Sequence, residues 1–299
     1  MDALSATSRS GIFRGKTGGR LKSVHSTLAK ASGVPRDFRH TMNNSGLSEA
    51  QVGEILSGEA FLRERLHPRR RDFNFLCFTD LLGVIRPFAD SVPKGGSVYD
   101  YGCGGAPYET LFAHCLEYVR ADLVPGPKVQ KRLRPDGLTE EPDGTYDAVL
   151  STQVLEHVPD PLAYLRETLR ILRPGGEALI TTHGMFEEHG CPYDFHRWTI
   201  IGLERVVRQA GFEVVEMRKL TTQVRGAVQM VHYLVETLRL PGPRTPVWYL
   251  LDLARRIHRR AVRPVLNWAV DQFEGQGIVP GDGSAAVYVG ISARVRRPR

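Results

Sequence analysis

Cysteine is scarce: Cys77, Cys103, Cys115 and Cys191 are the four in 299 residues. That is too few for a disulfide scaffold, and no pair has a zinc-finger spacing, so they read as reduced thiols of a cytoplasmic chain. Long apolar runs are missing too. No window reaches the roughly 18 consecutive apolar residues a spanning helix needs, and Met1–Ser10 lacks the apolar centre of a signal peptide. No internal repeat is present. Composition is unbiased, with 41% hydrophobic and 24% charged residues, which excludes collagen-like, fibrous and wholly disordered chains. The expectation is a soluble protein with one large α/β domain, or that domain and an appendage.

What is present is charge of one sign at the edges. The net charge of +7 gathers at Arg9, Arg14, Lys16, Arg20 and Lys22, at Arg69-Arg70-Arg71, and at Arg294, Arg296, Arg297 and Arg299. A basic fringe attracts nucleic acid, anionic lipid or phosphorylated substrates without choosing among them, and its plainer reading is a solvated terminus. Residues 1–45 lack any sustained period and are expected to be disordered. Residues 46–95 carry helical spacing over Ser48–Leu66 and Phe73–Phe88, and so form a helical cap.

From Gly96 short apolar strands alternate with helices. Strands are predicted at Ser97–Tyr101, Tyr118–Leu123, Tyr146–Ser151, Glu177–Thr182 and Phe212–Arg218, with helices at Tyr108–Cys115, Leu162–Leu172 and Thr199–Ala210. This rhythm over 96–218 argues for a parallel sheet covered on both faces, an α/β fold. Residues 219–284 break it with helices near Val224–Arg239, Val247–Arg260 and Val265–Phe273, split by Pro241-Gly242-Pro243 and Pro264. A last strand and basic tail occupy 285–299, so a helical insertion precedes the last strand.

The stretch Asp100-Tyr101-Gly102-Cys103-Gly104-Gly105-Ala106-Pro107 ends the first strand in closely spaced glycines. Such a turn lets a ligand approach the backbone, and a following helix would aim its N–H groups at it. A nicotinamide fingerprint needs a third glycine where Pro107 stands, and Asp100 would repel a pyrophosphate. An aminopropyl-carboxylate with a free ammonium would be welcome beside Asp100, which points to S-adenosylmethionine. Asp122 closes the second strand, placed to accept from both ribose hydroxyls.

With Asp100-Tyr101-Gly102-Cys103-Gly104, Asp122-Leu123, Tyr146–Leu150, Leu155-Glu156-His157-Val158 and Leu169–Gly176, the sequence resembles the class I S-adenosylmethionine-dependent methyltransferases from about Gly96 to Ala210. The resemblance implies a Rossmann-like sheet with S-adenosyl-L-methionine as cofactor. It implies that Asp100, Gly102 and Gly104 line the methionine end, that Asp122 holds the ribose, that Asp136 contacts the adenine amino group, and that Tyr101, Cys103 and Leu123 belong to the same cofactor-binding set. Gln153, at the end of its strand, should pass beside the ligand.

Methyl transfer from a sulfonium is an in-line displacement, so the protein supplies alignment and, for an oxygen acceptor, a base. The base expected first is His189 and second His183, which follows a strand at the sheet's carboxyl edge. The loop His189–Thr199 resembles the HxxPYDxxRxT signature of a bacterial methyltransferase subgroup linked to glycan or secondary-metabolite modification. Tyr193, Asp194 and Arg197 are its candidate substrate contacts, with a loop-fixing acid–arginine pair as the alternative for the last two. No metal is expected, because His183, His189, Cys191 and His196 fit no standard zinc spacing.

In the insertion, Val247, Trp248, Leu250, Leu251, Ala254 and Ile257 lie beside Arg255, Arg256, Arg259 and Arg260. Packing over the active-site mouth or against a dimer partner is the expected use of that face, and contact with the inner face of an anionic membrane or with a lipid-linked substrate the alternative. The function expected is O-methylation of a small-molecule, glycan or lipid-linked acceptor, with nucleic acid disfavoured as a partner. A nucleic-acid methyltransferase and a non-catalytic cofactor-binding scaffold are the competing readings.

Overall fold

A computed structural model describes residues 49–189, 193–238, 245–273, 275, 277–284 and 286–299. The expected disordered segment 1–45, the loop residues Gly190, Cys191 and Pro192, and the Pro241-Gly242-Pro243 break lie outside the described residues.

The described residues begin with α1 (Glu49–Leu56), α2 (Glu59–Leu66) and α3 (Phe75–Ser91). The expected helix Ser48–Leu66 is thus two, because Gly58 is extended (φ −66°, ψ 141°) and starts α2. The sheet follows with β1 (Ser97–Tyr101), β2 (Glu117–Asp122), β3 (Lys131–Arg132), β4 (Tyr146–Thr152) and β5 (Leu172–His183). Between β4 and β5 runs α4 (Pro161–Ile171), started by Pro161 and by the Asp160 carboxylate accepting from the Ala163 N–H. After β5 come α5 (Ile200–Ala210), capped by the Thr199 hydroxyl and ended at left-handed Gly211, and β6 (Glu213–Thr222). The chain closes with β7 (Val279–Pro280) and β8 (Tyr288–Arg296).

The eight strands lie in the order β3-β2-β1-β4-β5-β8-β6-β7. The first five are mutually parallel, and β8 runs antiparallel between β5 and β6. Strand residues alternate between two apolar layers. Tyr99, Tyr101, Val149 and Ile180 face α4 and α5, whereas Val98, Leu150 and Leu179 face α3. Strand order reverses between β1 and β4, and the carboxyl ends of strands at such a switch point form a crevice.

Three expectations need correction. The helix expected over Tyr108–Cys115 is a single 3₁₀ turn, Glu109–Phe112. Ala106 takes a left-handed φ of +52°, and the Leu116 N–H is claimed by the Gly96 carbonyl, so the segment returns to β2 before a helix develops. No long helix dipole therefore aims at the glycine turn. The strand expected to stop at Arg218 runs on to Thr222, because its partner β8 pairs that far, with Thr222 opposite Tyr288.

The third correction concerns the insertion, α6 (Gln223–Thr237), α7 (Pro246–Ile257), one π turn (His258–Val262) and α8 (Arg263–Phe273). Its apolar face is only partly covered, with Trp248 and Leu251 half-buried. Val247, Leu250 and Ile257 are exposed, while Arg255, His258, Arg263 and Asn267 are buried. The interior is a polar network. Arg225 pairs with Asp80 at 2.9 Å, both fully buried, and His232 contacts Asn267 Oδ1 at 2.9 Å and His258 Nε2 at 3.1 Å. Glu236 holds Arg259 at 2.6 Å and also Arg263.

Candidate active site

The site is built at the carboxyl ends of β1, β2, β4 and β5. Leaving β1, Gly102 and Cys103 both donate to the Ala121 carbonyl of β2, at 2.9 and 3.0 Å, which folds the turn back over the sheet edge. Gly102 has φ +82°, and a Cβ there would meet Val154 Cγ2, beyond the end of β4, at 2.5 Å. Only glycine satisfies both conditions. A Cβ on Gly105 would meet the Leu56 carbonyl oxygen at 1.9 Å, so the end of α1 presses on the turn from outside.

Asp122 ties the turn together. Its Oδ2 accepts from the Gly104 N–H at 2.7 Å and its Oδ1 from the Val124 N–H at 2.8 Å. Burial raises its pKa against the pull of these N–H donors. Asp100 is buried behind the turn, with Oδ2 accepting from the Tyr118 hydroxyl at 2.7 Å. Its Oδ1 is buried and has no hydrogen-bond partner among the described residues. Burial pushes this carboxyl up to about 7, opposed by the Tyr118 bond and reinforced by Asp122. A buried, half-satisfied acid is costly unless a cation or donor completes it, and that is the fit a ligand ammonium would have here.

The remaining candidates on this side divide. Tyr101 is fully buried and donates to the Gly137 carbonyl at 2.6 Å, so its phenol anchors the turn holding Asp136. The Cys103 thiol is buried and its pKa pushed well up by burial, which keeps it protonated. Leu123 is exposed beyond the end of β2. Asp136 pairs with Arg134 at 2.7 Å and accepts from the Leu138 N–H at 3.1 Å, bonds within its own turn. Gln153 takes a left-handed φ of +56° at the end of β4, and its backbone and side-chain N–H groups both bond to Thr181 of β5. Side chains other than glycine rarely accept that conformation, and it marks the crevice.

Next to Gln153 and Val154 stands a second cluster. Glu156 is fully buried, with Oε2 accepting from the Thr182 hydroxyl at 2.8 Å and Oε1 lying 3.1 Å from His183 Nε2. The His183 ring stacks on Phe186, centroids 3.9 Å apart. His189 approaches from the loop, 5.0 Å ring to ring from His183, with Nδ1 3.2 Å from the Glu187 carbonyl. Burial, and then His157, lower the His189 pKa to about 4, so its imidazole is neutral at ordinary pH. Ligand atoms of Glu156, His183 and His189 all lie within 4.8 Å of one another, a donor set that the sequence spacing of the histidines did not suggest. Glu156 itself was visible only as part of the Leu155-Glu156-His157 run. The signal that could have singled it out is an acid four residues beyond the end of a strand at the carboxyl edge.

Asp194 and Arg197 form a loop clamp. Arg197 bonds both Asp194 oxygens, at 2.6 and 2.7 Å, and reaches the carbonyls of Phe186, Glu187 and His196. Asp194 also accepts from the His189 N–H at 2.8 Å. Burial raises the Asp194 pKa, but the Arg197 and His189 bonds outweigh it and leave it lowered. The clamp thereby holds His189 in place. Tyr193 turns its side chain outward at 65% exposure, while its carbonyl accepts from His157 Nδ1 at 2.6 Å.

Residues 69–217 match the family described as "Methyltransferase domain". Over 105 residues the chain is 35% identical to the ubiquinone biosynthesis O-methyltransferase of Xanthomonas axonopodis pv. citri, covering 30% of this chain and 44% of that one. Over 173 residues it is 27% identical to the 2-methyl-6-phytyl-1,4-hydroquinone methyltransferase of Synechocystis, covering 53% and 54%. The matches thus span about half the length of these relatives. Among solved structures, the phosphoethanolamine N-methyltransferase 2 of Haemonchus contortus, in complex with S-adenosyl-L-methionine, aligns at a TM-score of 0.47 and 14% identity over 88% of this chain and 60% of that one. An S-adenosylmethionine-dependent methyltransferase of Mesorhizobium loti aligns at 0.39 and 14% over 76% and 98%. Over residues 69–217, just under half of its length, the chain is thus similar to methyltransferase domains.

Proposed function

We propose that the protein transfers the methyl group of S-adenosyl-L-methionine to an oxygen of a small-molecule, glycan or lipid-linked acceptor. The observation that carries this reading is the placement of the glycine turn and the Glu156–His183–His189 cluster side by side on one sheet edge, joined by Gln153 and Val154. The O-methyltransferase name of one relative supports oxygen as the accepting atom. When bound, the cofactor supplies a sulfonium methyl open to in-line displacement. The chain's own residues bind and align. Asp100 Oδ1 takes the ligand ammonium, and Asp122 accepts from the ribose hydroxyls with the lone pairs its two backbone bonds leave over.

His189 takes the acceptor's proton. With Nδ1 donating to the Glu187 carbonyl, Nε2 presents its lone pair, and the low pKa keeps that lone pair available across the neutral range. The Glu156 carboxylate beside His183 can stabilise positive charge arising in the cluster. Asp194 and Arg197 act by holding the loop.

Calorimetric titration of S-adenosylmethionine and its demethylated product, with NAD as control, tests the cofactor half. Micromolar binding is expected in the wild type, with a loss of about a hundredfold or more in Asp122→Ala, which removes bonds to the ligand and to the turn. Failure of both adenosyl ligands to bind would overturn the reading. For the acceptor half, hydroxylated compounds are screened with methyl-labelled cofactor. His189→Gln is expected to lower kcat about 10²-fold or more without weakening cofactor binding. Unchanged kcat in that variant would remove His189 from the reaction. Activity unaffected by a chelator would set aside a metal at Glu156, His183 and His189.

A further inference from the structure

The insertion is built inside out. On α7 the apolar residues Val247, Leu250, Leu253 and Ile257 are exposed at helical spacing, and beyond the π turn Val265 and Trp268 are exposed on α8. The opposite, buried positions are Arg255, His258, Arg263 and Asn267, each engaged in the polar network beneath. The helix cannot turn its apolar side inward without tearing that network open, at the cost of leaving buried polar groups unpaired. The neighbouring α6 repeats the arrangement, with Val224, Val231 and Leu234 exposed and Gln229 and His232 buried. Single exposed apolar side chains are ordinary on protein surfaces, but several on each of two packed helices over a polar interior are not.

Arginine borders the stripe. Arg260 is exposed in the π turn between Ile257 and Pro264. Arg69, Arg70 and Arg71, from the segment between α2 and α3, join Arg259, Arg260 and Pro264 around a depression of about 700 Å³. Clustered guanidinium groups beside an apolar stripe match the two layers of an anionic lipid surface, phosphate outside and hydrocarbon within.

We propose that this face of helix 246–273 lies in the headgroup region of an anionic bilayer, with the apolar stripe dipping into the acyl boundary and the arginine depression seating lipid phosphates. No helix among the described residues is long and apolar enough to cross a membrane, so the contact is with one leaflet. A second copy of the chain fits less well. A two-fold interface on this face would bring the arginine clusters of both copies together, and like charges oppose such pairing. The proposal does not depend on which acceptor is methylated.

Flotation of the full chain tests it, using vesicles of phosphatidylcholine alone and of equal parts phosphatidylglycerol and phosphatidylcholine. Wild type is expected to float with the anionic vesicles and to remain behind with the neutral ones. Raising salt should weaken binding steeply. Arg69→Gln/Arg71→Gln/Arg260→Gln should lose about a hundredfold in partition. Leu250→Ser/Leu253→Ser/Trp268→Ser should lose about as much at every salt concentration. All six residues are exposed, so unchanged melting curves and cofactor affinity certify both variants as folded. Equal flotation of wild type and both variants, or no flotation of wild type, would overturn the proposal. So would sedimentation of wild type as a dimer that the serine variant dissolves, since the stripe would then join two copies.

Discussion

The sheet edge and the insertion bury opposite things. Around the glycine turn the interior is apolar, and polar groups collect where strands end: Asp100, Asp122 and Glu156 stand at or just beyond the ends of β1, β2 and β4. In the insertion, Arg225, His232, Arg255 and Asn267 fill the interior and valines and leucines face outward. Backbone and side-chain geometry at the edge leave a buried acid half-satisfied. In the insertion the buried polar groups largely satisfy one another. The lesson is that burial alone identifies neither core nor site; what matters is whether a buried polar group has its partners inside the protein.

Breaking the insertion's interior should have the largest effect. Arg225→Met leaves Asp80 buried without its counter-charge, and unfolding in urea should show a loss of about 3–5 kcal/mol. A loss below about 1 kcal/mol would mean that the pair is not an organising feature.

The next effect separates the two regions by pH. Asp100, held at about 7, must be ionised to receive an ammonium. Protons therefore compete with S-adenosylmethionine, and its affinity should fall about tenfold per unit below pH 7, about a hundredfold by pH 5. Asp100→Asn should bind weakly with a flat pH profile, and a steep profile in that variant would assign the titration elsewhere.

The insertion should respond through stability instead. His232 is buried and its pKa is lowered to about 4, by burial first, against the Asn267 hydrogen bond. An unfolded histidine titrates near 6.5, so between about 6.5 and 4 the unfolded chain binds a proton that the folded chain does not. The His232 contribution is therefore complete above pH 6.5 and lost as pH falls towards 4. The margin of wild type over His232→Gln should shrink by on the order of 2 kcal/mol between pH 7 and pH 5. A constant margin in parallel melts would contradict the neutral buried ring.

The smallest effect belongs to the turn. Gly102→Ala combines a left-handed φ with the Val154 contact and should cost about 1–2 kcal/mol. Adding Val154→Ala should return the steric part while the φ penalty stays. If the second change recovers nothing, the 2.5 Å approach is not what requires glycine.

Much of the edge was legible because its signals are local. A strand running into Gly102-x-Gly104 and an acid closing the next strand appear in sequence order, and parallel pairing of Tyr101 with Ala121 brings them together. Thr199 marked a helix start for the same reason. Less legible was the Tyr101 phenol, which reads as a ligand contact beside a glycine yet anchors the Asp136 turn through Gly137. Glu156 and His183 meet only because β4 and β5 are neighbours, a long-range pairing that neither segment announces.

By itself the sequence determined the alternation of strands and helices, the glycine turn and its acids, and the amphipathic period of helix 246–273, because turn chemistry and side-chain periodicity act over a few residues. Only the tertiary structure decided which side of that helix faces inward. Periodicity is the same for either orientation; the choice lies with distant partners, Asp80 for Arg225 and the carbonyls of Val235 and Leu238 for Arg255. Those partners hold the polar side in and leave the apolar side out.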